Sequence, residues 1–311
     1  MDGDEGQLLD VLREIPPLIP QFLRKRRVGV AAPSEIAAEL GIERSWLFTI
    51  VQFDYISGMY GQDGATLAQL RGYDPYEVID RTSGPIAELK EKGLVLEDEE
   101  GMLTLSSAAR DAIDRFQAAG IEYVSKRQPL PVEDLERLAD ELERASAAVK
   151  ANRLFESVPG SHLRGYVAAG RYGRGSTAPM VRIEQALFEL WGARDDAHTT
   201  AWREADLEGP PFDVLSHVWA GANTVEALAE ALRYKQTPED LESSLSWLAA
   251  RELAERHGDE VRITPKGVLL REDVERETNR MYFDGWPFGM DEAVWVRDAL
   301  RLLVDRLDWA G

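Results

Sequence analysis

The fold is decided by the stretch that begins Phe53-Asp54-Tyr55-Ile56-Ser57 and ends Leu103-Thr104-Leu105, because the chain contains it twice. The second copy begins Phe212-Asp213-Val214-Leu215-Ser216 and ends Arg262-Ile263-Thr264. Phe53 and Phe212 are 159 positions apart, and the two ends keep nearly the same offset. A period of this length is that of a whole domain, so the repeat indicates a duplication and not a solenoid.

Each copy has the pattern of a winged helix. In the first copy we predict short helices over about 54–61 and 65–71, and a third helix that ends at Lys92-Gly93. A hairpin follows, with strands at 94–96 and 102–105. In the second copy, Thr237-Pro238-Glu239-Asp240 is typical of a helix start, and His257-Gly258-Asp259 is typical of a hairpin turn.

The repeat extends into the helices that flank each copy, since Pro129 and Pro287 are 158 positions apart. We therefore predict a mainly α protein with small β-hairpin wings, built from two tandem winged-helix domains that form an intrachain pseudo-dimer. The predicted boundaries are 1–151 for the first domain, 152–180 for a linker rich in Gly and Arg, and 181–311 for the second domain. The arginines of the linker, with Tyr166 and Tyr172, would suit an anion, but a solvated tether is the favoured interpretation.

A further helix-turn-helix pattern precedes the first copy. Ser34 is a suitable helix cap, Gly41 a suitable turn, and the helix from Ser45 would then face DNA. That helix carries Trp46 and Leu47 near its start, which makes it unusually apolar for a DNA-facing helix. Two core helices that lead into the winged helix are therefore the favoured interpretation.

The composition is that of a globular protein without disulfides. The 311 residues are 44% hydrophobic and include no cysteine, which excludes disulfides and thiolate metal sites. No apolar run is long enough to span a bilayer, and the N-terminus lacks the apolar core of a signal peptide, so we expect a cytoplasmic protein without a membrane partner. The net charge of −20 disfavours non-specific binding to nucleic acid, although it leaves room for a local basic patch.

One dense basic cluster occurs in the sequence, Arg24-Lys25-Arg26-Arg27. One interpretation is a contact with phosphate. The other is a helix C-terminus, where cations interact favourably with the helix dipole, followed by Gly29. The second interpretation is favoured.

Several motifs fix the order of the elements in both halves: Gly64-Ala65-Thr66-Leu67-Ala68-Gln69-Leu70, Leu89-Lys90-Glu91-Lys92-Gly93-Leu94 and Arg262-Ile263-Thr264-Pro265-Lys266-Gly267. Together with the two openings quoted above, they resemble the MarR family of transcription factors. The resemblance implies paired flanking helices, winged helices that hold double-stranded DNA, and a pocket for a small-molecule ligand. Because both halves lie in one chain, it implies a monomer acting as a pseudo-dimer, or a further homodimer. The C-terminal half, from about Arg194 through Trp286-Pro287, also resembles actinobacterial helix-turn-helix proteins of the SalK type.

The sequence departs from that family where DNA would be contacted. A DNA-reading helix exposes cations or hydrogen-bonding groups to bases and phosphates, but the third helices here carry several carboxylates. The first hairpin loop is acidic throughout, over 97–100, whereas the second retains cations. The candidate DNA contacts are therefore Arg81 in the first copy and Arg256, His257 and Arg262 in the second. DNA binding through both copies is not expected, whereas binding through the second hairpin stays open.

Aromatic residues and histidines concentrate in the second half. Asp195, His198 and Trp202 fall on one helical face by their spacing. The candidate lining of a small-molecule pocket comprises His198, Trp202, His217, Trp219, Tyr282 and Trp286. The alternative is that these rings fill the core between the two halves.

Catalysis has little support in the sequence. His198 with Asp195 is the only candidate for a general base, and we find no nucleophile motif, metal-ligand spacing or cofactor motif. The leading hypothesis is a ligand-responsive transcriptional regulator with weak or asymmetric DNA binding. The rival is a winged-helix protein that has lost DNA binding and binds or transforms a small molecule in an aromatic pocket between the two halves.

Overall fold

The computed structural model describes residues 2–152 and 158–307, which form helices and two small antiparallel sheets. The helices are α1 Asp2–Leu12, α2 Leu18–Lys25, α3 Ala32–Leu40, α4 Arg44–Met59, α5 Leu67–Arg71, α6 Ser83–Glu91, α7 Ser107–Ser125, α8 Val132–Ala151, α9 His162–Ala169, α10 Pro179–Glu204, α11 Gly209–Trp219, α12 Val225–Leu232, α13 Pro238–Ala250, α14 Pro265–Phe283 and α15 Met290–Arg306. The strands are β1 Ala65–Thr66, β2 Val95–Glu97, β3 Met102–Leu105, β4 Ala254–His257 and β5 Glu260–Ile263. No helix among the described residues has the length and apolar character needed to cross a bilayer.

The chain divides into two compact units, and both are discontinuous in sequence. Unit 1 takes the residues up to Leu67, then Pro85–Asp196, then those from Tyr282 onward. Unit 2 combines Ala68–Gly84 with Ala197–Met281. The domain boundaries inferred from the repeat, 1–151, 152–180 and 181–311, remain a prediction.

The first hairpin forms a three-stranded sheet in the order β1-β3-β2. Its pairing places Ala65 opposite Leu103 and Val95 opposite Leu105. The chain reaches β1 through Gly64, where a Cβ atom would lie 2.4 Å from the carbonyl oxygen of Leu103, so this approach requires glycine. The predicted hairpin is confirmed, but the helix predicted at about 54–61 is the end of the longer helix α4.

Helices α3 and α4 belong to the apolar interior of unit 1. Ile36, Ala37 and Leu47 pack with Ala112 of α7 as one buried cluster. Gly41 ends α3 with a φ of 64°, which is the left-handed conformation that glycine adopts without steric cost. The apolar face of α4 is therefore used for packing, as the favoured interpretation of this segment expects.

The basic cluster at the end of α2 is held by a buried carboxylate. Glu184 on α10 is 2% exposed and binds Arg27 through both oxygens, at 2.8 and 2.9 Å. It also accepts from Arg26, whose guanidinium lies 4.7 Å from the ring centre of Phe188. Burial lowers the pKa of Arg26, and Glu184 acts in the opposite direction. Arg26 and Arg27 are thus internal partners of Glu184.

Part of the stretch predicted as a linker is helical. Helix α9 packs on α4 so closely that a Cβ at Gly165 would lie 2.7 Å from the Met59 side chain. Asp196 holds the start of α9, accepting from the Ser161 hydroxyl at 2.6 Å and from the backbone N–H of His162 at 2.7 Å. Burial raises the pKa of Asp196 to about 6. Residues 153–157 lie outside the described residues.

In unit 2, a second set of three helices and a hairpin follows, formed by α11, α12, α13 and β4–β5. Helix α13 starts as predicted: the Thr237 hydroxyl accepts from the backbone N–H of Asp240, and the Asp240 carboxylate accepts in return from the N–H of Thr237. Gly258 turns the hairpin with a φ of 65°. An isolated bridge between Thr224 and Glu260 adds a third, minimal strand to this hairpin.

Candidate functional site

Three of the predicted DNA contacts lie on one hairpin of unit 2. Arg256 on β4 binds Glu242 of α13 at 2.5 Å and the carbonyl of Gly258 at 2.8 Å. Arg262 on β5 binds Glu260 at 2.7 and 2.9 Å. His257 lies near the turn, with its Nε2 atom 3.7 Å from Glu255. His257 and Arg262 are about two-thirds exposed and Arg256 about one-third, and each has an acidic neighbour on its own surface.

The outward face of α13 carries acidic side chains and small serine side chains. Its exposed residues include Glu239, Glu242, Ser243 and Ser246. The serines can donate to phosphate or to a base edge, whereas the carboxylates repel phosphate. The cations of this surface therefore lie on the hairpin and not on the helix.

The fourth predicted contact, Arg81, lies in the segment 72–82 that connects α5 to α6, here called the inserted segment. It stacks 5.6 Å from the ring centre of Tyr234 and lies 3.6 Å from Glu77. Tyr234 belongs to the turn between α12 and α13, so the structure places Arg81 against the second helix-turn-helix.

The inserted segment is bound to that turn by backbone and side-chain contacts. The N–H groups of Val78 and Ile79 donate to the carbonyl of Lys235 at 2.8 and 3.1 Å. The Lys235 ammonium lies 3.1 Å from Asp213 and 3.5 Å from Asp74. Burial acts to lower the pKa of Lys235, but these carboxylates outweigh it, and the pKa lies above its ordinary value. No local sequence signal pointed to Lys235, because its partners are distant in the chain.

The end of the inserted segment is fixed before α6 begins. Asp80 accepts from the N–H of Ser83 at 2.9 Å and of Thr82 at 3.1 Å, and pairs with Arg71 at 2.5 Å. The hydroxyl and N–H of Ser83 hold the pKa of Asp80 well below its usual range. At its other end the carbonyl of Pro75 approaches Gly209, where a Cβ would lie 2.0 Å away. The inserted segment is thus held at both ends by contacts within unit 2.

His198 and Trp202 are brought together in unit 2 by Phe212. Phe212 lies 5.6 Å from the ring centre of His198 and 6.1 Å from that of Trp202. The indole N–H of Trp202 donates to the hydroxyl of Tyr76 on the inserted segment at 3.0 Å. Sequence reasoning missed Phe212 and Tyr76, although Phe212 opens the second copy of the repeat.

A buried cation completes this cluster. The Arg271 guanidinium lies 5.2 Å from the ring centres of both Phe212 and Trp219, and it donates to Glu275 at 2.7 Å. Arg271 is 8% exposed, and its Nε atom has no hydrogen-bond partner among the described residues. The cluster therefore places a buried positive charge against aromatic faces, which attract cations electrostatically.

The histidine of the cluster is oriented by two side chains. The Nδ1 atom of His198 lies 3.2 Å from the Thr278 hydroxyl and 3.8 Å from Glu275. The Thr278 hydroxyl donates to the Val274 carbonyl at 2.7 Å, which leaves its oxygen to accept from Nδ1. Asp195, predicted as the orienting carboxylate, belongs to unit 1. Its role with His198 remains a prediction.

The other predicted pocket residues are divided between the two units. Trp219 is about half exposed beside Arg271, and His217 has its Nε2 atom 3.7 Å from Asp213. Tyr282 and Trp286 belong to unit 1, where their ring centres are 5.2 Å apart. Burial raises the pKa of Tyr282, and neither its hydroxyl nor the Trp286 indole N–H has a hydrogen-bond partner among the described residues.

Comparison with known proteins gives one family. The sequence model of a helix-turn-helix family matches residues 121–311, which is more than half of the chain. No curated protein and no solved structure gives a significant match. The matched range contains α12, the turn, α13 and the hairpin β4–β5, which are the elements that carry Arg256 and Arg262. The protein therefore belongs to this helix-turn-helix family.

Proposed function

We propose that this protein is a ligand-responsive transcriptional regulator that binds DNA weakly and asymmetrically, through α13 and the hairpin β4–β5. The observation that carries the proposal is the exposed group of cations on that hairpin, beside the third helix of a helix-turn-helix. The first hairpin carries negative charge instead, because β2 ends at Glu97 and its loop continues Asp98-Glu99-Glu100. Its neighbour Lys90 already pairs with Glu97. DNA contact is thus assigned to the second copy.

The proposal includes a tandem winged-helix architecture of MarR-like type. Its support is the order of elements, since α4, β1, α5, α6, β2 and β3 correspond to α11, the Thr224 bridge, α12, α13, β4 and β5. In both copies the short first strand pairs with the last strand of the hairpin. Pairing of the two copies as an intrachain pseudo-dimer, with or without further dimerisation, is the corresponding proposal for assembly.

Weak binding follows from the acidic partners of the hairpin cations. A guanidinium that contacts phosphate must first share or release its carboxylate, which offsets part of the Coulomb attraction. At low salt, each carboxylate near a phosphate contact costs about 1 kcal/mol, which is roughly a fivefold loss of affinity. The net charge of −20 adds a long-range repulsion that salt screens.

The test is fluorescence anisotropy of the full chain against DNA from its own upstream region, at several salt concentrations. We expect Glu242→Gln and Glu260→Gln to tighten binding by about fivefold each at low salt, because they release Arg256 and Arg262. Arg256→Gln and Arg262→Gln should weaken binding and reduce the salt slope by about one contact each.

Glu272→Gln is the matched control, since it removes the same charge from an exposed position of α14 in unit 2, away from the hairpin. An equal gain from Glu272→Gln would show that only net charge matters. Absence of binding by the parent protein at low salt would contradict the proposal.

A second function is favoured by one specific observation, the acidic partner found beside each of Arg256, His257 and Arg262. In this case the protein has lost DNA binding and holds a small molecule, with the cluster around His198 as its polar and aromatic surface. The anisotropy experiment distinguishes the two functions. If the protein has lost DNA binding, neither the parent protein nor Glu242→Gln should show salt-dependent binding to DNA.

A further inference from the structure

A cleft of about 310 Å³ opens in unit 1 between α4, the start of α7 and the 3₁₀ helix at Gly170–Tyr172. This volume lies at the lower end of the ~300–1,000 Å³ found for small-molecule sites. Its lining includes Phe53, Asp54, Ser57, Asp63, Arg110 and Arg171. We infer that this cleft binds an amino-acid-sized zwitterion, with the ligand carboxylate on Arg110. The inference deepens the ligand-responsive part of the proposed function at residues outside the predicted pocket.

One wall of the cleft is a fixed ion pair. The Arg171 Nη2 atom lies 2.7 and 2.8 Å from the two carboxylate oxygens of Asp54, and 2.6 Å from the Tyr172 hydroxyl. The Asp54 side chain is only 12% exposed. Because the Asp54 side chain is mostly buried and the pair has several bonds, we expect it to stay in place when a ligand enters.

The other ion pair is loosely held. Arg110 donates to the Asp63 carboxylate at 3.0 Å and to the Asp63 backbone carbonyl at 3.4 Å, and its Nε donates to the Leu105 carbonyl at 3.2 Å. The Asp63 side chain is 88% exposed, so its bond to Arg110 competes with water and stabilises little. A ligand carboxylate in the cleft can therefore take the place of Asp63, while the bond to Leu105 keeps the guanidinium oriented.

Charge balance selects the class of ligand. Arg110 and Arg171 are matched by Asp54 and Asp63, so these four side chains sum to zero. A dianion such as phosphate would leave the cleft negative within a chain of net charge −20. A zwitterion adds no net charge, and its ammonium group has Asp54, which also lines the cleft, as an acceptor. Phe53 and Ser57 also line the cleft, and its volume of about 310 Å³ limits the ligand to a short side chain.

The test is isothermal titration calorimetry of the full chain, without DNA, against glycine, L-alanine, L-serine and L-valine and the amides of each. We expect at least one amino acid to bind and its amide, which lacks the carboxylate, not to bind. Arg110→Gln should weaken that binding by at least about tenfold, because it removes a charged hydrogen bond. Arg110→Lys keeps the charge but not the planar guanidinium group, so its affinity for the amino acid should lie between those of the parent protein and Arg110→Gln.

Arg115→Gln is the matched control. Arg115 lies on the same helix, α7, and also pairs with an exposed carboxylate, that of Glu39 at 2.6 Å, but it does not line the cleft. Its binding should equal that of the parent, and thermal unfolding of each variant checks that the fold is intact. Equal losses in both variants, binding of the amides, or no binding of any amino acid would overturn the inference. Because DNA is absent, failure here is distinct from failure of DNA binding.

Discussion

Glu184→Gln is expected to lower the free energy of unfolding by about 3–5 kcal/mol, the cost of breaking a buried ion pair from one side. Glu184 is 2% exposed and serves two guanidinium groups, those of Arg26 and Arg27. The amide keeps the shape of the carboxylate but leaves both cations without a countercharge in the interior of unit 1. Urea unfolding followed by far-ultraviolet circular dichroism, with linear extrapolation to water, measures the loss.

The control for this prediction is Glu39→Gln, which breaks the exposed pair with Arg115. Both partners of that pair are accessible to water, so we expect no measurable change in the free energy of unfolding. A similar loss in both variants would show that the Glu184 pair is not specially sensitive. No loss of stability in either variant would contradict the prediction that the Glu184 ion pair stabilises unit 1.

Phe212→Ala is expected to lower the stability of unit 2 by about 3–5 kcal/mol, the usual cost of removing a buried aromatic ring. Phe212 is 1% exposed, and it supports the ring of Trp202, the ring of His198 and the guanidinium of Arg271. Its removal leaves a cavity and also takes away the aromatic face beneath a buried cation. Thermal unfolding monitored by tryptophan fluorescence, to which all eight tryptophans contribute, measures the loss of stability.

Leu269→Ala is the matched control in the same unit. The Leu269 side chain is 61% exposed, so its truncation should change stability by less than about 0.5 kcal/mol. Phe212→Leu retains most of the apolar volume, so its loss of stability should lie between those of Phe212→Ala and Leu269→Ala. If Phe212→Ala behaves like Leu269→Ala, the ring does not organise the cluster.

The sequence predicts best where the signal is local. Thr237 and Asp240 are three residues apart, and the helix start that they predict is confirmed by their reciprocal hydrogen bonds. The same holds for Gly258, which turns a hairpin whose two strands are adjacent in the chain. Such elements depend on neighbouring residues, so one sequence is enough to place them.

Contacts between distant residues could not be predicted in this way. Glu184 and Arg27 are 157 positions apart, and no pattern in either segment names the other. The acid beside Arg256 is Glu242, which lies on another element, so the cation was predicted as a DNA contact without its partner. The inserted segment was likewise missed, because its fit depends on Lys235 and Gly209 in the other half.

Unit 2 is built from both halves of the chain, and this has a consequence for inheritance. Ala68–Gly84 lies outside the range matched by the family, yet it supplies Tyr76 to Trp202 and two backbone donors to the turn between α12 and α13. A recombination event that joined this C-terminal half to a foreign N-terminal half would remove those partners. The two halves are therefore expected to be inherited together.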